Sequence, residues 1–91
     1  MAEQIRDKIA KIIQKILDEH YEYLKLDKFY QSGMYKIDVT PSIYILVNEV
    51  THRISIQTDK RITYDVANIA ECVKLVRDLL KTDPQFISNT G

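Results

Sequence analysis

Two hydrophobic periods divide this chain, and their order limits it to few architectures. Ile5, Ile9, Ile12, Ile13, Ile16, Leu17, Tyr21 and Leu24 recur three and four residues apart, the repeat of one face of an α-helix. Glu3, Asp7, Lys8, Lys11, Lys15, Asp18 and Glu22 occupy the other face, with Asp7 four before Lys11 in the order that supports a helix. From Met34 the period drops to two: Tyr35, Ile37 and Val39 point one way, Lys36, Asp38 and Thr40 the other. A helical stripe then returns in Val66, Ile69, Ala70, Val73, Val76, Leu79 and Leu80. Asp65 and Asn68 are N-cap residues for it, Glu71 stands in the capping-box position, and Asp83-Pro84 ends it.

Between the two stripes the strands follow from turn chemistry. Thr40-Pro41-Ser42 reverses the chain. Ile43-Tyr44-Ile45-Leu46-Val47 is apolar on both faces, as a central strand is. Ile54 and Ile56 alternate with Ser55 and Gln57, and Asp59-Lys60 leads into a short Arg61-Ile62-Thr63-Tyr64. The expectation is an α+β fold: a long N-terminal helix, a three- to four-stranded antiparallel β-meander, and a C-terminal helix, with both helices on one sheet face. The first helix is expected to run from about residue 3 to the mid-twenties or beyond, since Gly33 is the first strong breaker and Lys25 and Lys28 suit a last turn. Residues 1–84 form one domain and 85–91 a flexible tail. The expected core is Ile5, Ile9, Ile12, Ile16, Ile37, Val39, Ile43, Ile45, Val47, Ile54, Ile56, Ile69, Val73, Val76 and Leu80.

Charge and composition narrow the function. Thirteen basic residues balance thirteen acidic ones, so the chain lacks the overall field of a phosphate-backbone binder. A single cysteine, Cys72, allows no internal disulfide and favours a reducing compartment. The charged, amphipathic N-terminus is unlike a signal peptide, no apolar run reaches bilayer length, and the expected location is cytoplasmic. His20, His52 and Cys72 have no metal-ligand spacing, Gly33 and Gly91 make no phosphate loop, and Cys72 beside Val73 reads as a core or boundary side chain. No enzyme, metal or cofactor is expected.

A protein contact is expected instead. If Ile43, Ile45 and Val47 face the helices, Tyr44 and Leu46 face away, beside Lys36 and Arg53. An aromatic and a leucine in a polar, arginine-containing rim have the composition of a contact hot spot. The expected partner-binding residues are therefore Tyr44, Leu46, Arg53 and Lys36, with the segment from Tyr23 to Tyr30 able to cap the same face. Thirteen Ile and nine Lys against four Ala suit an AT-rich genome, and the size suits a phage, viral or mobile-element inhibitor or adaptor of a host complex, as small anti-CRISPR proteins are. Ile5, Ile9, Ile12 and Ile16 are spaced as a coiled-coil seam, but Ile13, Leu17 and Tyr21 widen it into a stripe that one domain core can fully occupy. Core is the favoured reading, and a homodimer through the helix is the second. The alternatives are nucleic-acid binding through Arg53, Arg61 and Lys60, or a homo-oligomeric structural subunit. Helix–three strands–helix is the order of double-stranded RNA-binding domains, but the second helix here opens on Asp65 to Glu71 with no lysine. Only the order is shared.

Overall fold

The computed structural model describes residues 1–21 and 24–82. The elements are α1 (Ala2–His20), β1 (Asp27–Gln31), β2 (Met34–Thr40), β3 (Ile43–Asn48), β4 (Ile54–Thr58), β5 (Thr63–Val66) and α2 (Ile69–Thr82). The strands form one antiparallel meander in chain order. α1 lies over β2 and β3, α2 lies over β4 and β5, and the helices touch. The α+β architecture is as expected, with five strands rather than three or four.

The added strand is β1, in the stretch between Tyr23 and Gly33 where the sequence marks no clear end to the first helix. Ser32 and Gly33 both have positive φ, 53° and 77°. That is the backbone of a two-residue type I′ hairpin, and it sets Gln31 against Met34 and Tyr30 against Tyr35. α1 accordingly stops at His20, and Tyr21 leaves helical geometry with φ −140° while its ring is buried. Pairing with β2 outweighs the helical period that continues through Tyr21 and Leu24.

Ile37, Ile45, Val47 and Ile56 are fully buried between sheet and helices, with Val39, Ile43 and Ile54 nearly so. α1 turns a different line inward from the expected seam. Ile9, Ile13 and Leu17 are fully buried and Ala10 is buried, whereas Ile5 and Ile16 are half-buried and Ile12 is 43% exposed. The apolar stripe is wider than the contact, so the helix could settle with either edge inward. It settles toward Arg6 and Ala10. The proposed coiled-coil seam is therefore divided: Ile9 lies in the core, Ile5 and Ile16 at its border, and Ile12 on the surface.

Arg6 is the unexpected member of this interior, only 7% exposed. Its guanidinium meets Asp7 at 2.9 Å and Glu3 at 3.5 Å, donates to the Phe29 carbonyl at 3.2 Å, and stands 5.2 Å from the Tyr35 ring centre. It ties α1 to β1.

In α2 the fully buried line is Cys72, Val76 and Leu80, while Ile69 and Val73 are half-buried. Burial pushes the Cys72 thiol up to about 12, so it stays protonated and unreactive near neutral pH. The Glu71 N–H donates to Asn68 Oδ1 at 2.9 Å, and the Ala67 N–H to Glu71 Oε2 at 3.3 Å. The cap read from the sequence forms. The expected Asp83-Pro84 stop and the tail at 85–91 lie outside the described residues. Among the described residues no helix is long and apolar enough to cross a membrane.

Candidate functional site

With both helices on one side, the sheet presents its other face without cover among the described residues. Register fixes the neighbours there. One row runs Phe29, Lys36, Leu46, Ser55 and Asp65; the next runs Asp27, Asp38, Tyr44, Gln57 and Thr63. Three of the four expected partner-binding residues, Tyr44, Leu46 and Lys36, come together. They line one shallow depression with Phe29, Gln31, Asp38 and Gln57. Arg53 lies off that patch, just before β4 and beside Asn48, whose N–H donates to its carbonyl at 2.9 Å. The segment proposed as a cap extends the face instead, because residues 27–31 pair edge-on with β2.

The apolar members are held in place. Tyr44 Oη donates to the Pro41 carbonyl at 2.7 Å, which fixes the ring. Lys36 Nζ donates to Gln31 Oε1 at 3.2 Å and sits 5.7 Å from the Phe29 ring centre. A fixed aromatic loses little conformational entropy when a partner covers it.

Phe29 is the member that sequence reasoning missed as part of this face. Part of the signal was present, because Ser32-Gly33 marks a turn and Phe29-Tyr30 are strand-favouring aromatics. β1 also sets Asp27 directly opposite Asp38. Burial, and next the Asp27 charge, raise the Asp38 carboxyl above its ordinary 3.8, with Lys36 opposing them. Two like charges directly across a strand pair destabilise it.

The shift predicts a pH dependence with a defined sign. An acid whose folded pKa is raised keeps its proton in the folded chain after the unfolded chain has lost it. Stability therefore falls as pH rises from 3.8 through the raised value, and stays lowered above it. Asp38→Asn is expected to melt higher than the wild type at pH 7, and the two melting curves are expected to converge on acidification below 3.8. Equal melting temperatures at pH 7 would show that the charge is not strained.

The alternative cluster does not assemble. Arg53 precedes β4 while Lys60 and Arg61 follow its end, so the five-residue strand separates them by roughly 17 Å. With five strands, the helix–three strands–helix order shared with double-stranded RNA-binding domains is also gone. Among the described residues no three His, Cys, Asp or Glu side chains group as metal ligands do. A wider groove between α1 and β1 carries mixed charge, and its polar groups engage one another. Asp7 meets Lys28 at 3.6 Å, and Gln14 donates to Asp18 at 2.8 Å while accepting from the Leu26 N–H at 3.3 Å. No known protein family, curated protein or solved structure matches this chain.

Proposed function

We propose that the chain is a non-enzymatic protein-binding module whose partner docks on the outer sheet face, over Phe29, Tyr44 and Leu46. The supporting observation is the uncovered patch that Phe29, Tyr44 and Leu46 form in a polar rim, the composition of an interface centre. Asp27 and Asp38 define the complementary chemistry: an apolar side chain flanked by an Arg or Lys, whose charge relieves the carboxylate repulsion. Sites that bind often carry strain of this kind in the free state. Within this reading the role we favour is an inhibitor or adaptor, encoded by a phage or other mobile element, that blocks or bridges a larger complex. A flat contact face suits blocking or bridging better than enclosing a substrate.

The test is affinity capture with the purified chain, comparing a Tyr44→Ala, Leu46→Ala variant with an Arg53→Glu, Arg61→Glu variant. The first is expected to melt cooperatively and lose its partner, at about 2 kcal/mol per side chain and so roughly a thousandfold in affinity if the losses add. The second is expected to retain the partner. Full binding by the Ala variant would refute the outer-face reading. A captured nucleic acid, released by salt and lost in the Arg variant, would transfer the reading to the alternative.

A further inference from the structure

We propose that two copies of the chain associate about a two-fold axis through the free edge of β5 and the face of α2 beside it. The backbone of β5 is prepared for a further strand. The Thr58 N–H donates to the Ile62 carbonyl at 3.0 Å, and the ladder continues through Ile56 opposite Tyr64. Antiparallel pairs alternate, so Ile62, Tyr64 and Val66 direct their backbone groups at β4. Thr63 and Asp65 direct theirs at the open edge. A second β5 placed with Tyr64 opposite Tyr64 sets each Thr63 against an Asp65, which closes four backbone hydrogen bonds without opposing like charges. A register centred on Asp65 would oppose two carboxylates.

The helices fit the same axis. α1 over β2 and β3 and α2 over β4 and β5 lie two strand spacings apart, about 10 Å, and they pack together. Continuing the sheet across the β5 edge repeats that interval, so α2 meets α2 of the second copy, antiparallel, at helix-packing distance. The β1 edge offers no such arrangement: α1 is centred over β2 and β3, so two copies of α1 would stand four strand spacings apart, roughly 19 Å, too far to pack.

Charge complementarity makes a second copy the occupant. Glu71, Lys74, Asp78 and Lys81 are exposed along α2. Glu71, Lys74, Leu75 and Asp78 border one groove with β5. In an antiparallel pair centred on Val76, Lys74 of each copy lies level with Asp78 of the other. Among the described residues neither Lys74, Asp78 nor Lys81 has an ion pair within its own chain. Half-buried Leu75 and Leu79 lie alongside. The axis is perpendicular to the sheet, so both outer faces point the same way. Their Tyr44–Leu46 patches stand roughly 24 Å apart, which makes the dimer a bivalent binder.

Sedimentation of the full chain without any partner tests this independently of the outer-face reading. At roughly 100 µM, where a micromolar dimer is nearly complete, the expected mass is twice 10.7 kDa. Lys74→Glu or Asp78→Lys alone is expected to weaken association at least about tenfold, because each change acts twice across the axis. The combined Lys74→Glu, Asp78→Lys variant is expected to restore the dimer. A chain that stays at monomer mass, or a dimer that survives either single reversal, overturns the proposal. So does a double variant that stays monomeric while melting like the wild type.

Discussion

An aspartate in place of Ile45 is expected to leave no cooperatively folded chain. Ile45 is fully buried in the central strand, between Ile37 on β2 and Ile56 on β4, both also fully buried. Truncating such a side chain costs about 2–5 kcal/mol, and an unpaired buried carboxylate adds several more. A domain of this length has about 5–14 kcal/mol in total. The measurement is a thermal melt followed by far-UV circular dichroism, with the wild type showing a sigmoid and the variant none. Ile12→Asp is the control on α1. Ile12 is 43% exposed, so that variant is expected to fold and melt within a few degrees of the wild type. A folded, cooperatively melting Ile45→Asp would remove the central strand from the core.

The contrast between these two isoleucines marks where sequence patterns stop being informative. Period two has only two phases, so once Ile43, Ile45 and Val47 point inward, Tyr44 and Leu46 must point outward. Lys36, Asp38, Ser55 and Gln57 follow by the same alternation. The helix has no such constraint. With isoleucine at both 12 and 13, its stripe spans more arc than one sheet can cover, and the rotation is chosen by what else must be buried. Ala10 permits close approach on one side, and the Arg6 guanidinium finds its acceptors there. β1 was hidden for a related reason, because Tyr21 and Leu24 prolong the helical period up to the strand. Phe29 and Asp27 join the outer face only through the register of that hairpin, and no local pattern carries a cross-strand neighbour. The signs of Glu71, Lys74 and Asp78 along α2 stand in the sequence, but they acquire meaning only beside a free strand edge.

Arg6→Ala is expected to lower stability by about 2 to 3 kcal/mol, the range for a hydrogen bond to a charged group plus its lost packing. For a domain of this size that is about 10 to 20 °C in melting temperature. The guanidinium engages Glu3, Asp7, the Phe29 carbonyl and the Tyr35 ring together, and an ammonium cannot span that set. Arg6→Lys should therefore recover only part of the loss. The effect should also be local. β1 is an edge strand that pairs on one side only, so its amides in the variant should exchange with solvent faster than those of β3. Partner binding should weaken as well, although Arg6 lies on the opposite side of the sheet, because β1 carries Phe29 and Asp27 to the outer face. Hydrogen exchange separates this account from a general loss of stability. Acceleration confined to β1 identifies Arg6 as the tie between helix and edge strand, whereas uniform acceleration across all five strands makes it an ordinary core residue.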